Sequence, residues 1–309
     1  MGRRLFSSLM IAALLALLAL KPSGVMAQDV RPSAPETKTD ILWAIDADMP
    51  GFIKVENRLN GYGAQMLDWF IVRMPEYHHL MKILPRRSAY DAMRMTDDTG
   101  QTVCIPGTQN TPERAREFIL SNTVAPFLPL SVVVPDSALV SFKPYMFGDG
   151  TIDLEALLGD TSRYTALAKS RSYGPDIDRI LAEAIDSPNV LRTDNQSSFP
   201  LMLEMGRIDW MLAFPVEIEF HRRAQGKVSD TVALPIGGMP RLLDLAIACN
   251  RSSTGIGAIT KINDILASNP DMPWLEYYVD YLGHADRARF KETLRDFKTR
   301  RDVPASAMQ

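Results

Sequence analysis

Asn110-Thr111-Pro112-Glu113-Arg114-Ala115-Arg116-Glu117-Phe118-Ile119-Leu120-Ser121 writes a helix start with an arginine in its first turn. Thr111 suits the N-cap, and Pro112 suits the first helical position, where its missing N–H costs nothing. Glu113 favours the positive end of the helix dipole. The helix is expected over 112–120, beginning where the loop from Cys104 to Asn110 ends. An arginine here lies beside unpaired backbone N–H groups, and its planar fork matches a carboxylate or phosphate at two points. The stretch is therefore a candidate anion site. The competing reading is a surface helix whose arginines are only solvated.

Outward from this helix, short apolar runs alternate with helical patterns. Strand-like runs at 41–45, 80–84, 103–105 and 130–134 are separated by helices expected at 64–74, 89–95 and 112–120. That rhythm is the signature of an α/β sheet. A stretch punctuated by Pro, Gly and Asp, 135–163, reads as a crossover with one short helix at 153–158. The alternation then restarts: strands at 164–168, 190–192 and 208–212, helices at 175–185 and 199–205. A strand at 231–234 leads through Gly237-Gly238 to 242–249, and helices at 256–266, 274–282 and 287–300 follow. Two α/β lobes joined by crossing strands would enclose a cleft.

At the N-terminus, Arg3 and Arg4 precede an apolar run over 9–20 and the small residues before Gln28. This reads as a secretory signal peptide, 1–27, cleaved after Ala27. The run is shorter than the roughly 20 apolar residues of a membrane-spanning helix. A polar tether, 28–39, follows. Export to the periplasm is the expected destination. It would let a disulfide persist between the chain's two cysteines, Cys104 and Cys249; the alternative is two buried free thiols.

The chain has 309 residues, 46% of them apolar, enough to bury a large core in one or two domains. A net charge of −3, with no basic face, argues against nucleic acid as a partner. The four histidines show no metal-ligand spacing, and adjacent His78 and His79 would point to opposite faces of a strand. No metal and no cofactor are expected. Gly255-Ile256-Gly257-Ala258 lacks the third glycine of a dinucleotide site and reads as a helix start. Glu217 and Glu219, two apart, would not face each other on a helix, so no catalytic pair is named.

Thr111-Pro112-Glu113-Arg114-Ala115, followed by Phe118 and Ser121, resembles a segment of the type II periplasmic solute-binding proteins, family 3. Asp48-Met49-Pro50-Gly51-Phe52 with Gly61-Tyr62-Gly63 looks like that family's opening loop and first-helix start. Lys169 to Gly174, Gly206-Arg207-Ile208-Asp209 and Ala248-Cys249-Asn250-Arg251 look like its second-lobe loop, a strand entry and the return strand. The resemblance implies a two-lobed α/β fold with a ligand cleft. Lobe 1 would span 40–134, lobe 2 with its crossover 135–241, and lobe 1 would resume over 242–303.

Carried over by position, the resemblance implies that Arg114 takes a ligand carboxylate, with Gln109 and Asn110 in the loop before it. Phe52 would stack on the ligand, and Ser172 and Tyr173 would offer hydroxyls beside the helix starting at Pro175. Ordinary turn chemistry is the alternative for the latter pair. The chain departs from the family where an acidic residue meets a ligand ammonium: Phe214 stands there, with Glu217 as the nearby carboxylate. The implied function is an exported, non-enzymatic protein, a monomer that captures a small polar or anionic solute, amino acid or organic acid, for an ABC transporter permease or a membrane receptor. The alternatives are an enzyme on the same scaffold, a dehydratase or a cell-wall-acting protein with Glu217 as acid/base, and a sensor or partner-binding module.

Overall fold

The computed structural model describes residues 38–301 except 48–49, 57, 96–99, 170 and 226–229. The expected signal peptide and tether lie outside the described residues apart from Lys38 and Thr39.

The elements of the first half are β1 (Thr39–Ile45), β2 (Ile53–Val55), β3 (Arg58–Asn60), α1 (Tyr62–Ile71), β4 (Tyr77–Ile83), α2 (Arg86–Met95), β5 (Thr102–Gln109), α3 (Pro112–Glu117), β6 (Ile119–Leu120) and β7 (Ala125–Phe127). The middle of the chain forms β8 (Ser131–Pro135), α4 (Leu139–Phe142), α5 (Leu154–Gly159), β9 (Thr165–Ala168), α6 (Pro175–Glu183), β10 (Val190–Thr193), α7 (Phe199–Glu204), β11 (Trp210–Ala213), α8 (Pro215–Gln225) and β12 (Thr231–Pro235). The last part returns through β13 (Leu243–Cys249) to α9 (Ser253–Ser268), α10 (Leu275–Val279) and α11 (His284–Arg301).

Two sheets organise these elements. The first has the order β4-β1-β5-β13-β6, with β7 also on β13, and the second β10-β9-β11-β8-β12. β1 shows why a parallel central strand reads as nearly continuous hydrophobic sequence: Ile41, Trp43 and Ile45 enter the core beneath α1 and α10, while Leu42 and Ala44 face the smaller core against α2. The second sheet buries Val132 and Val134 on one face and Val133 on the other.

The chain passes between the sheets twice, and the passages lie side by side. β7 pairs antiparallel with the start of β13, and β8 pairs antiparallel with β12. The outgoing passage is anchored where it leaves the first sheet, because the Tyr278 hydroxyl accepts from the Leu128 amide at 3.1 Å and the Trp274 indole donates to the Val124 carbonyl at 2.8 Å. Cys104 and Cys249 are opposite one another on β5 and β13 and are joined as a disulfide.

The structure departs from the sequence-based elements in places that matter for the site. The helix expected over 112–120 ends at Glu117, and Ile119–Leu120 instead pairs with β13. The crossover holds the short helices α4 and α5 rather than one. The hairpin β2–β3 and the helix α8 are additional elements. α9 starts at Ser253 with the Ser252 hydroxyl accepting from the Gly255 amide at 2.9 Å, so the glycine pair near 255 is a capped helix start.

Candidate functional site

α3 is placed from behind. The Arg251 guanidinium donates to the carbonyls of Ala115, Arg116 and Phe118, closing the end of a helix only six residues long. Phe118 leaves that end into a buried position and stacks on Tyr90 of α2, with ring centroids 5.8 Å apart. The Arg114 guanidinium lies 5.2 Å from the centre of the Tyr90 ring and donates to the Gln109 carbonyl at 3.3 Å. A chain of packing from Phe118 through Tyr90 thus aims the arginine. In so short a helix the aggregate dipole is small, so the anion handle is the side chain.

Arg114 lines a cavity of about 350 Å³. Phe52 and Gln109 line it too, as do Tyr62, Arg86 and Asp46 from lobe 1 and Phe214 and Val216 from the strand-to-helix turn after β11. Phe52 is seated by glycine: a Cβ on Gly63 would lie 2.8 Å from both the Phe52 ring and the Gly51 carbonyl oxygen. Gly61, at φ 102°, opens α1 in a conformation that favours glycine, and the Ala64 amide donates to the Gly51 carbonyl at 3.0 Å. The opening loop is thereby fastened to the helix that forms the cavity wall.

That wall is aromatic. Tyr62 meets Phe127, Tyr278 and Tyr281 edge-on at centroid distances of 5.5, 5.3 and 5.5 Å, and Phe127 stacks on Tyr278 at 4.0 Å. Burial, with a smaller contribution from the negative charge of Glu217, pushes the Tyr62 phenol far above its ordinary pKa. It stays protonated and able to donate. Opposite, Arg86 at the start of α2 pairs with Asp46 at 3.1 Å.

The other sequence-predicted residues are elsewhere. Asn110 is exposed, and its backbone amide donates to the Asp244 carbonyl. Ser172 and Tyr173 do not line the cavity. The Ser172 hydroxyl and the Tyr173 amide both donate to the Asp178 carboxylate, at 2.5 and 2.8 Å, and the Tyr173 hydroxyl accepts from the Ala168 amide. Asp178 thus supplies the anion at the start of α6, and the turn-chemistry reading describes this pair. Glu217 is buried in an ion pair with Arg171, 3.1 and 3.3 Å from its two oxygens, and also accepts from the Phe214 amide at 2.9 Å. It lines a second cavity, of about 330 Å³, with His221 and Pro50. A carboxylate so occupied is poorly placed to receive a ligand ammonium or to act as an acid/base.

α8 also ties the lobes. Val216 packs into the lobe 1 core, and buried Glu219 holds Arg222 and Arg223 at 2.6 and 2.8 Å. Arg223 reaches across to the Asp280 carbonyl and lies 5.5 Å from the centre of the Tyr281 ring. His78 bonds Asp40 and His79 bonds Trp43 and the Met74 carbonyl, on opposite sides of β4. Among the described residues there is no cluster of three or more metal-ligating side chains.

No protein-family model matches the chain, and no curated protein matches it significantly. Solved structures do. The probable amino-acid ABC transporter extracellular-binding protein of Bacillus subtilis aligns over 80% of this chain and 99% of its own, at 13% identity and a TM-score of 0.57. An amino acid ABC transporter substrate-binding protein of Streptococcus pneumoniae, bound to L-arginine, aligns over 80% and 95% at 14% identity and a TM-score of 0.54. Substrate binding domain 2 of Lactococcus lactis GlnP, in an open conformation, aligns over 81% and 97% at 13% identity and a TM-score of 0.55. With two sheets, paired crossing strands and nearly full coverage of these proteins, the chain has the two-lobed type II fold of the amino-acid ABC transporter solute-binding proteins.

Proposed function

We propose that the protein is an exported solute-binding protein that captures a small anionic solute against Arg114 and presents it to an ABC-type importer or a membrane receptor. One observation carries this reading: Phe52, Gln109 and Arg114 of lobe 1 line a single cavity with Phe214 from the other lobe. A planar cation beside aromatic faces can orient a carboxylate and stack the body of the ligand. The two adjacent crossing passages serve as the hinge, and closure about them would convert occupancy into a shape that a membrane partner reads. Export agrees with the apolar run and small residues before Gln28 and with the Cys104–Cys249 bond, which persists in an oxidising compartment. The protein acts as a monomer and without catalysis; Glu217, the acid/base candidate, is held by Arg171.

The test is a thermal-shift screen of the chain from Gln28 against amino acids, organic acids, sugars, small peptides and phosphates, with Arg114→Ala in parallel. A ligand at 100 times its Kd adds about 2.7 kcal/mol, several degrees for a protein of this size. A hit lost in the variant supports the reading. Silence across the panel overturns it in favour of a partner-binding module.

A further inference from the structure

The charges around the 350 Å³ cavity do not balance. Among the described residues its charged lining is Asp46, Arg86 and Arg114. Asp46 is only 13% exposed and pairs with Arg86, whereas Arg114 has no carboxylate partner among the described residues. Among the described residues the pocket therefore presents one guanidinium without a carboxylate partner and no carboxylate without a cation.

Glu217, on the turn that brings Phe214 to the cavity, does not restore the balance. It is bound by Arg171 through both oxygens and does not line this cavity, whereas Phe214, whose amide donates to it, does. The Arg171 guanidinium lies 5.6 Å from the centre of the Phe214 ring and is paired with Glu217, so this ion pair offers the cavity no free charge of either sign. A ligand ammonium entering here would lose its water and meet the Arg114 guanidinium, with no carboxylate among the described lining residues left to pair with it. A carboxylate would meet an aimed two-point partner.

A second observation concerns the body of the ligand. Beyond Arg114 and Gln109 the cavity runs under α1 between aromatic and aliphatic side chains, among them Phe52, Leu67 and Phe70. Tyr62 is 6% exposed and lines this part, and its hydroxyl has no hydrogen-bond partner among the described residues. A lone donor in an apolar wall suits a single carbonyl, hydroxyl or carboxylate oxygen.

We infer that the solute is an aryl or branched-alkyl monocarboxylate without an ammonium group, its carboxylate on Arg114 and its apolar body against Phe52 and Phe214. This rests on the capture reading above and narrows its ligand class.

Matched pairs test it by titration calorimetry on the chain from Gln28: 3-phenylpropanoate against phenylalanine, and 4-methylpentanoate against leucine. Each pair shares a carbon skeleton and differs by the ammonium. The carboxylate lacking it is expected to bind roughly 30-fold more tightly or better, and the preference to disappear in Arg114→Ala. Phe214→Asp, which adds a carboxylate to the wall, is expected to shift the ratio at least about tenfold toward the amino acid. An amino acid that binds equally or more tightly, through Arg114, overturns the ligand class and leaves solute capture standing. No binding by either member of both pairs also overturns the class, and the wider screen then decides capture on its own.

Discussion

The two lobes contribute unequally to the cavity. Lobe 1 backs it with an aromatic core, including Trp43, Tyr62, Phe70, Trp274 and Tyr278, and supplies the three charged lining residues found among those described. Lobe 2 has a mainly aliphatic core of Leu, Val and Ile and, among the described residues, offers Phe214 and Val216 to the cavity. Large flat rings hold a wall in place at small cost in side-chain freedom, and their polar ends pin the backbone, as Tyr278 and Trp274 do at the start of the crossing. Lobe 1 is thus built as the seat and lobe 2 as the cover.

Removing the disulfide should break this contrast most. The bond closes a loop of 145 residues within the first sheet, for which chain entropy gives a stabilisation of about 5 kcal/mol. Cys104→Ala combined with Cys249→Ala should lower the urea midpoint accordingly, and an unchanged midpoint would contradict the assignment. Next, Trp274→Ala should cost about 3–5 kcal/mol and weaken ligand binding, because the same ring holds Val124 beside the cavity. Leu157→Ala in the lobe 2 core should cost about 2–5 kcal/mol with affinity nearly intact, after correcting for the unfolded fraction. Equal effects on affinity would erase the distinction between seat and cover.

Arg114→Ala should lose about 2–4 kcal/mol of binding with little change in melting temperature, measured by calorimetry on the ligand the screen finds. The smallest effect concerns the α8 tie. Hydrogen bonds from Arg222, then Arg223, hold the Glu219 carboxyl below its usual value of 4.5. The stability it adds is therefore present above about pH 4.5 and lost as pH falls through the lower folded value. Since its arginine partners are half exposed, Glu219→Gln should cost about 1 kcal/mol at pH 7 and flatten the fall in melting temperature between pH 5 and 3. A parallel offset at all pH values would remove Glu219 from the acid response.

The alternation of strands and helices was legible because β1 and its neighbours write two-sided burial into short apolar runs. α8 was not, since its buried positions include Glu217 and Glu219, and a pattern search takes buried positions to be apolar. The hairpin β2–β3 was missed for a similar reason: its residues are mostly exposed, and its turn places Glu56 at φ 52° without a glycine. At the site, Arg114, Gln109 and Phe52 were readable from local motifs. Tyr62, Arg86 and Tyr90 join them only through folding, and the Arg171–Glu217 pair, 46 residues apart, left no local trace. The expected hydroxyl contacts gave way to local ones: the Ser172 hydroxyl donates to the Asp178 carboxylate and the Tyr173 hydroxyl accepts from the Ala168 amide.

The position of Cys104 and Cys249 has one more consequence. Every strand of the second sheet, from Ser131 to Pro235, lies inside the covalent ring that the bond closes. A protease that cuts a lobe 2 loop would open the ring without releasing a fragment, leaving both ends of the cut tethered to one scaffold. Such a nicked molecule should migrate as a single species on a non-reducing gel and separate into two only after reduction.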